Sequence, residues 1–525
     1  VATNNNYPKK ANYFLGWSMT DVEAQKLAKW DLLILDMETQ ITSRSQIEKI
    51  RKLNPNITIL AYVTSQEIRQ DALTCSSVLR RKLASGISDN WYLTNATGQK
   101  KTFWSGTYML NPTDISPLIN GYRFNKYLAQ FMVNEVLTTG LWDGIFYDNA
   151  WDTLSWFTGG DVDLDKDGQN DSNIDSHWQN GLKFLFNETR RLAGSNYIII
   201  GNGNGTNYVG ELNGIMIENF PAQIGGWTKA MDTYRYYENG GYMPKTIVIN
   251  ANTGNTGNEK DYQKMRFGMA SALMSNGYYS FDYGDKVHNQ TWWYDEYDVN
   301  LGTPISSPAS TKNYNNFQED VWRRDYNNGL ALVNATNQPQ TVELGAEYEK
   351  LNSQQDAATN DGSIISSVKL PAKDGLLMLK SLSTETIDDL VYVNGNFLRF
   401  YDMTGHKTRN GFFAYDDSLA GGVKLYHGNT DSNTSDKEKI TIDGFRFEIY
   451  NSSGERWFNY FPFGGNFSGE INMAVKKLFG DAEKEILIAP SEGGNVIMYN
   501  YHGYTMQGGF YPYGFKDRSG VSLAI

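Results

Sequence analysis

The run Leu141-Trp-Asp-Gly-Ile-Phe-Tyr-Asp-Asn-Ala-Trp151, read with Asn213-Gly-Ile-Met-Ile-Glu-Asn-Phe220, decides the fold. In each, a short apolar strand (Gly144 to Tyr147, Gly214 to Ile217) ends on a carboxylate, Asp148 or Glu218. Helical and loop sequence separates the two, as in an alternating β/α chain. In a (β/α)8 barrel the site-bearing rim is built from the C-terminal ends of the strands. The chain thus delivers two acids to one rim.

Working outward, the first 283 residues parse into eight strand-helix units. Strand one is Tyr13 to Trp17, with a helix from Thr20 to Lys29. Strand two, Leu32 to Leu35, ends at Asp36 and Glu38, and strand three, Ile57 to Val63, has Gln66 and Glu67 beyond it. A long excursion follows, carrying WYLTNATGQKKTFW as a hairpin around Ala96-Thr-Gly98, then a helix from Tyr122 to Thr139. Strand four leads to Asp148, strand five (Tyr197 to Ile200) to Asn202, and strand six to Glu218. Strand seven (Thr246 to Ile249) ends at Asn250. A helix from Asp261 to Asn276 feeds strand eight, Tyr278 to Phe281, which ends at Asp282. Near-continuous apolar strands imply a parallel sheet covered by helices. Eight units fit a TIM barrel of about 250 residues, and no GxGxxG supports a dinucleotide fold.

Beyond the barrel the pattern changes to short strands and turns. VWRRDYNNGLALVNATNQPQTVEL is a hairpin turning at Asn327-Asn-Gly329, and KLPAKDGLLML supplies a further strand pair, so a small β-sandwich is expected. The last part is repetitive: FLRFYDMTGHKTRNGFFAY, FRFEIYNSSGERWFNYFPF and VIMYNYHGYTMQGGFYPY place turn glycines Gly405, Gly454 and Gly503 49 residues apart. A period near 50 is that of a four-stranded propeller blade, and the repeats resemble the FG-GAP or VCBS type. The expected domains are 1–310 (barrel), 311–383 (β-sandwich) and 384–525 (propeller-type repeats). Under three periods fit in the tail, which leaves three readings open: the chain is a fragment, the repeats stack as an open array, or self-association or a partner chain completes the unpaired sheet edges.

Asp+Glu 59 against Lys+Arg 47 gives a net charge of −12, which disfavours a polyanionic partner, so no nucleic acid is expected. Abundant aromatics (Tyr 34, Phe 25, Trp 13) suit stacking on sugar rings. Cys75 stands alone, so no internal disulfide forms, and no apolar run reaches the 18 or so residues of a membrane span. With Val1 in place of an initiator Met, the expectation is a processed bacterial protein, secreted or at the cell surface. A lone Cys and five His without paired spacing argue against zinc, and no GxSxG marks an esterase.

Asp148 and Glu218 are the candidate catalytic pair, one protonated to donate and the other ionised. Apolar neighbours Ile217 and Phe220 favour Glu218 as the acid by desolvation. Asp36, Glu38, Glu67, Asn149, Asn202, Asn250 and Asp282 are candidates to bind substrate hydroxyls from the same rim. Trp17, Tyr62, Trp104, Trp151 and Tyr283 are candidate sugar platforms. DLDKDGQND is a calcium-loop pattern: Asp163, Asp165 and Asp167 take the first, third and fifth positions, Gly168 the sharp turn, the Gln169 carbonyl the seventh position and Asp171 the ninth. The bidentate Glu of position twelve is replaced by Ile174, with Asp175 next.

LWDGIFYDN, WWYDEYDVNLGTP (Trp292 to Pro304) and VWRRDYNNGLALVNATN resemble the bacterial hypothetical glycosyl hydrolase family 15, over roughly residues 10–380. The resemblance implies a TIM-barrel glycosidase acting on an oligosaccharide or polysaccharide. The acids on strands four and six are also similar to those of the clan of retaining α-galactosidases and α-glucosidases, which implies an α-linked substrate, with Asp148 as nucleophile and Glu218 as acid/base. That clan mostly carries Asp on strand six, where this chain has Glu218. The alternative is an extracellular carbohydrate-binding or assembly protein on a glycosidase barrel.

Overall fold

The computed structural model describes residues 6–380 continuously and a set of shorter segments between 390 and 523. Two compact units divide the chain, one made of residues up to 297, 302–342 and 368–377, the other of 298–301, 343–367 and 378 onward.

The first unit contains eight parallel strands in sequential order: β1 (Ala11–Phe14), β2 (Leu32–Asp36), β3 (Thr58–Thr64), β4 (Gly144–Asp148), β5 (Ile198–Asn202), β6 (Gly214–Ile217), β7 (Val248–Asn252) and β8 (Tyr278–Asp282). Lys10 bridges Tyr279 in parallel, bringing β8 back beside β1. Alternate side chains point inward: Ala11, Tyr13, Leu32, Ile34, Leu60, Phe146, Ile198, Ile200, Met216 and Val248 form one buried core. The residues between them face the helices. Tyr147, for example, packs on Phe186 of the helix Ile174–Ala193 and its hydroxyl meets Thr189 Oγ1 at 2.7 Å. Burial on both faces is why the strands read as unbroken apolar runs.

Two glycines set the strand spacing at the base of the barrel, at the far end of the strands from Asp148 and Glu218. A Cβ on Gly144 would lie 1.9 Å from Ile198 O, and one on Gly214 would lie 1.9 Å from Thr246 O. β4 and β6 therefore each start with the residue that lets the next chain segment close against them.

Local details differ from the sequence reading in instructive ways. β1 begins and ends earlier than expected, so Trp17 lies beyond it, and β7 runs through Asn250 to Asn252. The first helix is Asp21–Leu27, with Thr20 and Glu23 forming a reciprocal capping box. The helix expected to reach Thr139 is α-helical only over Phe124–Phe131, then widens into a π turn (Met132–Val136) and tightens again (Leu137–Thr139). The hairpin at Ala96-Thr-Gly98 forms, with Thr94 bridging Lys100 and Gly98 at φ +80°.

After the barrel, Val321–Tyr326 and Gly329–Asn334 pair antiparallel with Tyr326 opposite Gly329, which puts the turn where Asn327-Asn-Gly329 places it. A sandwich is expected here, but within the first unit these strands take the barrel's own helix Tyr262–Leu273 as their other layer. Arg266 and Asp374 form a buried ion pair at 2.9 Å, Tyr326 OH donates to Leu273 O at 2.5 Å, and Gly375 leaves room for Ala270. The barrel already offers an apolar helix, so no second sheet is needed there. In the second unit, Tyr348–Lys350 pairs antiparallel with Met378–Lys380.

Among the described residues, the 49-residue period corresponds to successive antiparallel sheets of three, four and four strands: 390–413, 423–460 and 471–510. Ile440, Ile442, Phe447, Ile449, Ile471, Ile486 and Ile488 make a shared core for the latter two. Gly503 adopts φ +83° as a turn glycine; Gly405 and Gly454 lie outside the described residues. No helix among the described residues is long and apolar enough to cross a membrane.

Replacing Gly144 or Gly214 by Ala forces a Cβ into a neighbouring backbone carbonyl. Each variant is expected to lose about 1–3 kcal/mol or more of stability, measured by denaturant unfolding, while Gly98→Phe in the open hairpin changes little beyond the strain of its positive φ.

Candidate active site

Asp148 and Glu218 come to the same end of the barrel because Phe146 and Met216, two residues earlier on β4 and β6, point into its core. Each acid is followed by an Asn in the left-handed region, Asn149 at φ 57° and Asn219 at φ 49°. Asn tolerates that conformation better than other non-glycine residues, and the reversal ends each strand at its carboxylate. Asn202, ending β5 between them, donates from Nδ2 to Asp148 Oδ1 and to Glu218 Oε2, both at 2.8 Å. One nitrogen with two hydrogens thus holds the two acids together.

Asp148 also accepts from Tyr62 OH and from Asn149 N, each at 2.8 Å. Burial raises its pKa, and the bonds from Tyr62, Asn202 and Asn149 pull it back. Burial, then the charge of Asp148, push Glu218 up to about 7. Glu67 is likewise raised to about 7 by burial and by Asp148; it accepts from Thr107 Oγ1 at 3.1 Å and Asn149 Nδ2 lies 3.5 Å away. The site therefore holds three carboxyls near one another, of which Asp148 has the most donors aimed at it.

These groups line a cleft of about 1480 Å³ together with Tyr62, Trp104, Trp151, Asn149 and Asn202. The other sequence candidates fall elsewhere. Asp36 is buried in an ion pair with Arg80, whose backbone N–H donates to Glu38 Oε1 at 2.7 Å. Neither acid lines the cleft, because the arginine occupies both. Trp17 lies under the guanidinium of Arg80, 4.1 Å from its ring centroid, in a small side cavity shared with Asp36. Asn250 sits inside β7 and is buried, donating to Asp282 Oδ2 at 3.2 Å. Asp282 is buried behind the cleft wall, where its Oδ2 lies 2.9 Å from His288 Nδ1.

His288 escaped the sequence reading. Its Nε2 is 3.9 Å from Glu218 Oε1, and its ring packs 4.3 Å from Tyr13. Burial opposes its charge, but Asp282, Glu218 and Asp148 outweigh this and raise its pKa. The available signal was its place in the loop after strand eight, six residues past Asp282.

In the acidic loop, Asp163, Asp165 and Asp171 bring one carboxylate oxygen each within 4.8 Å of the others. Asp163 accepts from the N–H groups of Lys166, Asp167 and Gly168, at 2.7 to 3.2 Å. Asp167 is outside the convergent group and accepts from Gln169 N at 2.8 Å. Asp175 does not complete the loop: it accepts from Leu154 N, Ser155 N and Ser155 Oγ.

Residues 51–330 match the family model of hypothetical glycosyl hydrolase family 15. The chain belongs to that family. No curated protein matches it. Solved structures similar to it include the α-galactosidase AgaA of glycoside hydrolase family 36 from Geobacillus stearothermophilus with 1-deoxygalactonojirimycin (10% identity, 71% of this chain, 55% of that one, TM-score 0.39). AgaB from the same organism gives 10% identity, 71% and 54% coverage and TM-score 0.39. The chitinase domain of the Clostridium difficile spore coat protein CotE gives 12%, 47%, 65% and 0.25. The chain spans just over half the length of the α-galactosidases.

As a glycosyl hydrolase family member, the chain carries raised carboxyls whose protons link stability to pH. Glu67 and Glu218 hold their protons to about pH 7 in the folded state and to about 4.5 when unfolded. Their contribution is full below pH 4.5 and is lost as pH rises through 7. The melting temperature of the first unit is expected to fall between pH 5 and 8, and Glu67→Gln with Glu218→Gln to flatten that slope.

Proposed function

We propose that the chain is a retaining glycoside hydrolase acting on an α-linked oligosaccharide or polysaccharide. The observation that carries the reading is the Asn202 nitrogen bonded at 2.8 Å to both Asp148 and Glu218. It bounds the separation of the two bonded oxygens at twice that distance, short of the roughly 6.5–9.5 Å that leaves space for an inverting water, which supports a retaining pair, about 5–5.5 Å apart. The α-linkage rests on the resemblance to the α-galactosidase and α-glucosidase clan.

Asp148, fixed by three donors, attacks the anomeric carbon while protonated Glu218 gives its proton to the leaving oxygen, and the glycosidic C–O bond breaks as the Asp148–sugar ester forms. Glu218, now ionised, takes a proton from water, which attacks the same carbon and releases Asp148. Two inversions retain configuration. Asn202 holds both acids throughout, and the buried His288 lies where its charge favours ionised Glu218 after the first step. Tyr62 and Asn149 stand beside the nucleophile, and Glu67 is positioned to bind a sugar hydroxyl.

Asp148→Asn is expected to lower kcat by at least about 10⁴-fold with the fold intact by circular dichroism. Glu218→Gln is expected to hydrolyse aryl glycosides with good leaving groups far better than natural ones. The kcat/KM profile is expected to be bell-shaped, rising as Asp148 ionises and falling above about pH 7 as Glu218 loses its proton. Full activity of Asp148→Asn, or product of inverted configuration by NMR, refutes the mechanism.

We also propose that the loop at 163–171 binds Ca²⁺ through Asp163, Asp165 and Asp171, with the Gln169 carbonyl as a further ligand and Asp167 on the outside. Support comes from the loop pattern and from three converging carboxylates whose repulsion a cation would relieve: the carboxyl of Asp165 is raised by burial and by Asp171, Asp167 and Asp163. Chelation is then expected to lower the melting temperature, with Ca²⁺ restoring it. Asp163→Asn is expected to abolish both effects in a thermal-shift titration.

A further inference from the structure

One wall of the cleft is not used by the chemistry above, and it is aromatic. Phe103 and Trp104 come from the excursion between β3 and β4; Trp151 and Trp156 come from the segment after β4. Phe103 is the hub, with ring centroids 4.7 Å from Trp151, 5.1 Å from Trp104 and 5.6 Å from Trp156, all edge to face. Trp104 and Trp156 are 48% and 59% exposed. Adjacent exposed indoles lining a cleft mark a binding surface.

The wall is rigid before anything binds. Trp151 O accepts from Trp178 Nε1 at 2.9 Å and from Tyr208 OH at 2.7 Å. The residues before Trp156 are anchored on Asp175, which takes Leu154 N at 2.6 Å and Ser155 N at 2.8 Å. A platform already ordered costs little further entropy when a ligand lies on it.

The remaining lining from β6 and β7 mixes amides, Asn219, Gln223 and Asn252, with the apolar Phe220, Pro221 and Ala222. A sugar ring suits such a lining, having apolar C–H faces for the indoles and hydroxyl edges for the amides and carboxyls. Acids still outnumber cations along the cleft when Glu67 and Glu218 keep their protons below about pH 7: Asp148, Asp152, Asp261 and Asp285 line it against Lys264, Lys373 and His288. That balance repels uronic-acid or sulfated chains. At about 1480 Å³ the cleft exceeds the roughly 300–1,000 Å³ of a single small-molecule site.

We propose that this wall is a preformed subsite for the second and later pyranose rings of a neutral oligosaccharide. The inference rests on the reading that the scissile bond lies at Asp148 and Glu218, and it adds that substrate selection is by chain length along the Phe103–Trp156 face.

The test titrates the Asp148→Asn protein with neutral α-linked gluco- and galacto-oligosaccharides of one to five units, read by tryptophan fluorescence. Affinity is expected to rise at least about tenfold from one unit to three, as a Trp-centred contact provides. Trp156→Ala in that background is expected to remove most of the rise and Trp156→Phe to restore part of it. In the otherwise wild-type chain, Trp156→Ala is expected to lower the ratio of kcat/KM on the trisaccharide to kcat/KM on the nitrophenyl monoglycoside by about tenfold. Affinity independent of chain length, equal losses on short and long ligands, or no binding by any of these sugars would overturn the subsite. Chain-length-dependent binding without hydrolysis by the wild type supports the subsite and refutes the catalytic reading. Hydrolysis of the monoglycoside with flat chain-length dependence refutes the subsite and leaves that reading standing.

Discussion

A single nitrogen, Nδ2 of Asn202, gives one hydrogen to Asp148 and the other to Glu218. Two carboxylates brought this close out of bulk water repel each other and resist ionising together. The bridging amide offsets part of that repulsion and fixes the separation, while burial and the charge of Asp148 keep the proton on Glu218 up to about pH 7. The division of roles proposed for the two acids rests on the unequal number of donors. Asp148 has Tyr62, Asn149 and Asn202; Glu218 has Asn202, with His288 further off.

That bridge exists only because β5 lies between β4 and β6 in a closed sequential order. Strand alternation then does the aiming. Phe146, Ile200 and Met216 fill the barrel core, and two residues later each strand presents Asp148, Asn202 and Glu218 at the rim. Gly144 and Gly214 permit the backbone approach that sets this geometry, since a methyl group at either would meet a carbonyl oxygen of the next segment. Packing at the base of the strands and chemistry at their tips are the same constraint seen at two heights.

The eight strands were legible because each is apolar on both faces and short, and because Asp148 and Glu218 follow directly on such runs. The 49-residue repeat was legible from spaced glycines and returned as three successive antiparallel sheets. Asp36, Glu38 and Trp17 read as rim residues for the same reason as Asp148, yet Arg80 sits on all three. Arg80 lies 44 residues from Asp36 in the chain, so no local pattern announces the pair. His288 was invisible for a similar cause: its partner Asp282 is near in sequence, but the Glu218 it faces is on another strand.

The sequence by itself determined the short apolar runs of the strands and the position of each acid at a strand end, because these depend on neighbours within a few residues, and it carried the repeat length in its spaced glycines. Tertiary structure alone decided which strand-end groups share a cleft, which acids an arginine covers and which aromatics stand exposed. Those outcomes depend on residues dozens of positions apart meeting at distances near 3 Å, where hydrogen bonding and desolvation act.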